Sequence, residues 1–477
     1  MPSLLSNVRL SFLSFALGKA AAAAANIALF RSLGPAQMGD YTAALGFAGV
    51  FSVLAELGLS AYLTREVSRH PEKASTLFSQ ALLVQGIQVL IAALVLGGFL
   101  WRGGSDAISP ALVGLGFAWV ALINLSSPFS ACLQGLEEFG STSRVSSLAS
   151  VLNAAGLWLV LLFAPSVAAA LASLVLTGIL GLGMWVRAAS KKGLHFEMPR
   201  PFQPFKFWKE TLPFASVSGL NQLYLRMDVV LLTLLSGSLA VGYYGAGVRV
   251  SDLLAAVLGS LIGPLYPRLA SSTTDPSHGG LRLELSRATR YMTALSLPLG
   301  IGGTVMASSL MPWLFGADFA PAGAAFAWLV WVPALMGVNA GLLLALSAVG
   351  ALGAMNLIFV VALGLNLSLN RIFIPSQGVV ACAWIWVLCE VLILAVCLAL
   401  LALRHRVALS ARAMLWPSLP AALGMGVLLH FLPMAEGWHC VPRVLEGALV
   451  YAGLLWVLGF FGPEEKEHLG RALGFKS

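Results

Sequence analysis

Seven ionisable side chains lie inside long apolar runs: Lys19, Glu56, Arg226, Asp228, Arg249, Asp252 and Glu390. An ionised group at mid-bilayer costs at least about 2.5–3.5 kcal/mol to insert, so each demands a reason. A lysine or arginine held there can bind an anionic group, and a carboxylate can carry a proton or a cation. Their spacing groups them. Two antiparallel helices joined by a turn bring residues equidistant from its centre to one level, because each rises about 1.5 Å per residue. With a turn centred near Gly237–Ser238, Arg226 and Arg249 lie about a dozen residues away on either side, and Asp228 and Asp252 fall within a helical turn of that level. Arg249 and Asp252, three apart, share a helix face; Arg226 and Asp228, two apart, do not.

A first turn near Pro35–Met38 brings Lys19 and Glu56 to one level by the same logic. Lys19 sits roughly 15 Å inside Arg9, too deep to snorkel easily to water. Asn26, seven residues on, shares its face, and the alanine run 20–25 between them lets a neighbouring helix approach closely. Two readings stay open. The groups form salt bridges buried between adjacent helices, or they line a wet passage. In the second, Lys19, Asn26, Arg226 and Arg249 hold an anionic cargo, while Glu56, Asp228, Asp252 and Glu390 couple its movement to an ion. Glu390, mid-run and without a basic hairpin partner, is the one best suited to carrying a proton.

Motifs for other chemistry are missing. No G-x-x-x-x-G-K-[ST] loop indicates nucleotide hydrolysis, and no H-E-x-x-H or histidine cluster has metal-ligand spacing. Cys132, Cys382, Cys389, Cys397 and Cys440 are odd in number, scattered and mostly in apolar runs, which reads as packing. No catalytic residue, metal or cofactor is therefore expected. The outer loops are short, which counts against an enzyme working there.

The elements that must position these groups are membrane spans. The chain is 58% hydrophobic and 10% charged, with a mean hydropathy of +0.88. A soluble domain carries about 25% charged residues, so this composition excludes one. Turn and charge clusters cut the chain into about fourteen apolar segments, each long enough to cross a hydrocarbon core of about 30 Å. The expected fold is all-α and polytopic. The N-terminal segment reads as the first span and not as a cleaved signal, because no small-residue cleavage site closes a short apolar core. With the N-terminus cytoplasmic, 21 of the 28 Lys and Arg residues fall on the cytoplasmic side, and only Arg31, Arg102, Arg371 and Arg443 fall opposite. The net charge of +8 then marks membrane orientation and not nucleic-acid binding. Both termini are expected to be cytoplasmic.

The longest break, residues 187–210, holds Pro199, Pro201 and Pro204, with Phe202, Phe205, Phe207 and Trp208 among Lys206 and Lys209. It reads as a linker anchored at the membrane surface. The halves on either side carry a short repeat: Gly39-Asp40-Tyr41 and Gly242-Tyr243-Tyr244 lie 203 residues apart, as do Arg65 and Arg268. The expected organisation is an N-terminal lobe of six helices (1–190), a cytoplasmic linker (191–210), a C-terminal lobe of six (211–403), and two additional helices with a cytoplasmic tail (404–477).

Several runs resemble a known family. Leu33-Gly34-Pro35, Gly39 and Tyr41, Gly58-Leu59 and Arg65-Glu66-Val67 resemble the N-terminal signature of bacterial polysaccharide flippases of the multidrug/oligosaccharidyl-lipid/polysaccharide exporter superfamily. LYLRMDVVLLTLLSGSLAVGYYGAGVRVSDLL is similar to that family's seventh and eighth helices, and NLSLNRIFIPSQGVVACAWIWVLCEV to its eleventh and twelfth. The resemblance covers roughly residues 1–400. It implies two six-helix lobes around a central cavity, alternating access, and an undecaprenyl-diphosphate-linked oligosaccharide (an O-antigen or exopolysaccharide unit) as cargo. The cargo would pass from the inner to the outer leaflet of the bacterial cytoplasmic membrane. Membrane lipids, a glycan polymerase and export machinery are the partners it implies. It also implies cationic cavity residues for the diphosphate, with Lys19, Arg226 and Arg249 as candidates, and a proton or sodium gradient as drive. The alternatives are an ion-coupled drug antiporter of the same superfamily and a membrane glycosyltransferase or polymerase.

Overall fold

A computed structural model describes residues 2–102, 108–198, 204–262, 279–432 and 437–462; the side chains of residues 2–19 and of a few positions near the ends of one later helix lie outside that description. Among the described residues the regular structure is all helical, with no strand. The helices are α1 (Pro2–Glu56), α2 (Leu59–Arg69), α3 (Ala74–Trp101), α4 (Pro110–Gly135), α5 (Phe139–Phe163), α6 (Val167–Lys191) and α7 (Pro204–Ile262). They continue as α8 (Gly279–Phe315), α9 (Ala322–Leu329), α10 (Trp331–Ala348), α11 (Leu352–Gln377), α12 (Val379–Leu403), α13 (Ala411–Leu415), α14 (Ser418–Phe431) and α15 (Cys440–Val457).

Eleven helical stretches among the described residues are long and apolar enough to cross a bilayer. Two of them are too long for one crossing. α1 has 55 residues and α7 has 59, about 80 Å or more if straight, against a hydrocarbon core of about 30 Å. Each is broken by a glycine in a backbone conformation that L side chains rarely adopt: Gly34 (φ 72°, ψ 173°) and Gly237 (φ 78°, ψ 177°). Tyr244 is hydrogen-bonded to Asp228, sixteen residues earlier, which a straight helix would hold about 24 Å away. α7 therefore folds back on itself at Gly237. With both halves of α1 and α7 counted, and the shorter apolar α14 of 14 residues added, the apolar segments among the described residues number fourteen, as the hydropathy pattern predicts. One expected span differs. The hydropathy pattern predicts a single segment over residues 40–62, but the helix breaks at Leu57–Gly58 (φ 34° and 71°) and restarts as α2.

The chain divides into two compact units. The first comprises Met1–Gly245 with Phe359–Val379, and the second Ala246–Ile358 with Val380–Ser477. In the first, α1 packs on α3, α4 and α5, and α6 covers α4 and α5. The second half of α1 runs along the first half of α7: Cβ atoms added at Gly39, Gly46 and Gly49 would meet Ser238, Val229 and Arg226 in turn, so the two segments are antiparallel. Near the turns the approach is reciprocal. A Cβ at Gly39 would fall 1.7 Å from the Ser238 carbonyl oxygen, and one at Gly242 would fall 1.8 Å from that of Pro35. Gly34 and Gly237, Pro35 and Ser238, and Gly39 and Gly242 are all pairs 203 residues apart.

At the helix ends of this unit, Lys192 Nζ donates to Glu138 Oε1 at 2.6 Å, tying the α4–α5 turn to the end of α6. That hydrogen bond holds the Glu138 carboxyl below the usual carboxylate range. Phe207 packs edge-on against Tyr62, whose hydroxyl donates to Glu210 at 2.5 Å, so the start of α7 is seated on α2. In the second unit, α8 is the central element, contacting α9, α10, α13, α14 and α15. Residues 199–203 of the expected linker, Arg268 of the repeat, and the tail basic residues Lys466, Arg471 and Lys476 lie outside the described residues.

Candidate functional site

Asp228 lies on the first half of α7, nine residues before the Gly237 break, and is 2% exposed. The fold-back brings Tyr244 against it, and Tyr244 Oη donates to Asp228 Oδ2 at 3.0 Å. From α11, Asn370 Nδ2 donates to Asp228 Oδ1 at 2.8 Å and lies 3.0 Å from Asn366 Oδ1. Asn366 and Asn370 are four apart, so one helix face presents both amides. All four residues belong to the first compact unit and are buried. The Asn370 Oδ1 atom is itself buried with no hydrogen-bond partner among the described residues.

The chemistry of this cluster follows from its donors. The hydrogen bonds described to Asp228 come from a phenol and an amide, which stabilise an anion without neutralising it. Hydrogen bonds to a charged group are worth about 1.5–3 kcal/mol each, well short of the cost of burying a bare carboxylate. A proton on Asp228 or a monovalent cation among these oxygens would restore neutrality. Carboxylate, phenol and amide oxygens are the hard ligands such cations prefer. No group of three or more His, Cys, Asp or Glu side chains among the described residues is placed to hold a metal ion.

A second buried carboxylate lies in the other unit. Glu390 on α12 is 3% exposed, and Asn339 of α10 donates through Nδ2 to its Oε2 at 2.8 Å and to its backbone carbonyl at 3.0 Å. Here too an amide meets a carboxylate between two apolar helices.

Of the other predicted residues, Arg226 is exposed, and its aliphatic stem lies over Gly49, with Cδ 3.3 Å from where a Cβ there would sit. Asp228, two residues on, turns to the opposite, buried side. Asn26 is half-buried and donates to the Ala22 carbonyl of its own helix at 2.8 Å. Glu56 is half-buried and accepts from the Gly58 amide at 3.3 Å, capping the break before α2. In the second unit, Arg249 is half-buried and Asp252 exposed. The Lys19 side chain lies outside the described residues.

Tyr244, Asn366, Asn370 and Asn339 are not among the predicted site residues. A signal for three of them is present. Tyr244 belongs to the Gly242-Tyr243-Tyr244 repeat, and Asn366 and Asn370 are polar residues at helical spacing in an apolar run.

A family model described as polysaccharide biosynthesis protein matches residues 4–273, more than half of the chain. The chain belongs to this family. Among curated relatives of this polysaccharide biosynthesis protein, one assigned as an O-antigen transporter in Shigella flexneri is 24% identical over 311 residues, 61% of this chain and 72% of the relative. Another, assigned as the low-salt glycan biosynthesis flippase Agl15 of Haloferax volcanii, is 23% identical over 361 residues, 74% of each chain. Among solved structures, the lipid II flippase MurJ in an inward closed conformation superposes with a TM-score of 0.77 at 13% identity, covering 94% of this chain and 98% of that one. A point mutant of the Vibrio cholerae MATE transporter VcmN gives 0.58 at 13% identity, covering 84% and 97%. At such identities these structures establish a shared fold.

Proposed function

We propose that this polysaccharide biosynthesis protein is a flippase. It moves an undecaprenyl-diphosphate-linked oligosaccharide from the inner to the outer leaflet of the bacterial cytoplasmic membrane by alternating access. The observation that carries the reading is the Asp228 cluster, a carboxylate buried in an apolar bundle and held by Tyr244 and Asn370. Such a group is stable with a proton or cation and costly without one, which is what an ion-coupled transporter requires. The names of the Shigella and Haloferax relatives agree with glycan movement and supply the cargo class. A sugar headgroup cannot cross hydrocarbon without a polar path, whereas its lipid tail can stay in the bilayer. No step of this process forms a new glycosidic bond, so the protein is a transporter and not an enzyme.

In this reading Lys19, Asn26, Arg226 and Arg249 contact the diphosphate and sugars, while Asp228, Glu56, Asp252 and Glu390 couple transport to the ion. The moving bodies are the lobes 1–190 and 211–403, joined by the linker 191–210 and followed by 404–477. The matching glycine breaks at Gly34 and Gly237 support that pairing. Both termini face the cytoplasm, with the glycan polymerase and export machinery acting on the far side.

Purified protein in liposomes, given a labelled lipid-linked oligosaccharide, tests the function. Protein-dependent transfer of label to the opposite leaflet with no longer glycan formed is the expected result. A lengthened glycan, or no change in sidedness with an imposed ion gradient, would overturn it.

A further inference from the structure

The second compact unit contains an open cavity of about 580 Å³ that belongs to neither carboxylate cluster. The first turns of α8, the short α13 with the residues leading into α14, and Gly459 beyond α15 enclose it. Three arginines line it, Arg287, Arg290 and Arg412, together with Ser286, Ser410 and Trp416. No carboxylate is among its described lining residues. Glu284, one turn before Arg287 on α8, approaches Arg287 Nη1 at 3.4 Å. That exposed pair offsets one of the three positive charges and leaves the described lining net cationic.

The arginines differ in freedom. Arg290 is anchored: its guanidinium donates to the Phe460 carbonyl and stacks 4.5 Å from the centre of the Phe460 ring. Arg287, with 62% of its side chain exposed, and the exposed Arg412 are available to a ligand. Guanidinium forks match phosphate oxygens two at a time, which makes a phosphate the preferred anion. The rim is apolar. Leu283 and Trp416 are each 52% exposed beside the charges. A cationic floor with an exposed tryptophan and leucine at the ends of spanning helices suits an amphipathic anion better than a soluble one. The volume falls within the range that encloses a small-molecule headgroup.

We propose that this cavity binds the phosphate of an anionic membrane phospholipid, whose acyl chains leave along Leu283 and Trp416. Bound there, the lipid ties α13 and the end of α15 to α8. The loop-charge orientation puts the site in the cytoplasmic leaflet. Binding itself stands independently of the transport reading, because neither Asp228 nor Glu390 takes part.

The test uses the full chain in nanodiscs of phosphatidylcholine alone or with equimolar phosphatidylglycerol. Lipid retained after detergent exchange is counted by native mass spectrometry, and the thermal midpoint is followed. Wild type should retain phosphatidylglycerol and gain thermal stability from it. R287Q/R412Q should retain about tenfold less, whereas the control R69Q/R187Q, with the same charge loss at exposed positions outside the cavity, should match wild type. If the double variant does not fold, R412Q alone should still lose several-fold. Undiminished retention by the cavity variants, equal loss in the control, or equal protection of wild type by inorganic phosphate without phosphatidylglycerol would each overturn the proposal.

Discussion

A carboxylate inside an apolar bundle persists only if its lone pairs are met and its charge is answered. At Asp228 the first condition is met by a phenol from the second half of α7 and an amide from α11. The second is left to whatever occupies the cluster, which is why the proposed ion coupling is assigned to Asp228. Asp228→Asn keeps the shape and the capacity to accept from Tyr244 but removes the charge. Gradient-driven flipping by this variant should fall by roughly tenfold or more, the worth of one charge-assisted hydrogen bond, with folded yield preserved. Equal rates for variant and wild type in the liposome assay would remove Asp228 from the coupling role. At this scale the sequence was informative about which residues are costly and silent about who meets them. Asp228 stands out as a carboxylate in an apolar run, yet Asn366 and Asn370 lie well over a hundred residues away, and no periodicity links them to it. Arg226 and Asp228 separate for a reason the helix supplies alone: two residues apart, they lie on different faces, and one is exposed while the other is buried.

At the scale of elements, the decisive feature is the pair of broken helices. Gly34 and Gly237 allow α1 and α7 to turn, and Gly39 and Gly242 let the turned segments approach until each meets the other's carbonyl. The second pair is required by contact and not by backbone conformation. Gly242→Ala should therefore cost about 1–3 kcal/mol through overpacking, read as a clear drop in thermal midpoint in detergent. Gly86→Ala on α3, where an added Cβ meets nothing within 4 Å, should be neutral or slightly stabilising. Equal tolerance of both changes would mean that the close approach is not a packing constraint. The repeat Gly39-Asp40-Tyr41 and Gly242-Tyr243-Tyr244 made these turns legible in advance, because a glycine forced by contact leaves its mark at one position in each half. The break at Leu57–Gly58 is not legible in the same way, since the apolar pattern runs on through it into an amphipathic α2.

For the whole molecule, orientation is the claim most open to direct measurement. All five cysteines are free and buried, so a single introduced cysteine can be labelled over a low background. A membrane-impermeant maleimide applied to spheroplasts should label Trp101→Cys at once and Lys192→Cys only after permeabilisation; the reverse pattern would invert the topology. The chain's own sequence was enough to determine that it is an all-helical membrane protein with fourteen crossing segments, and roughly where each turns. Insertion depends on hydropathy summed over about 20 consecutive residues, a quantity written locally in the chain. Tertiary structure alone decided that Asp228 meets Tyr244 and Asn370, that Glu390 meets Asn339, and that three arginines share a cavity with Trp416. Those meetings depend on how distant helices dock. Among segments that are apolar on every side, side-chain periodicity does not say which face turns inward.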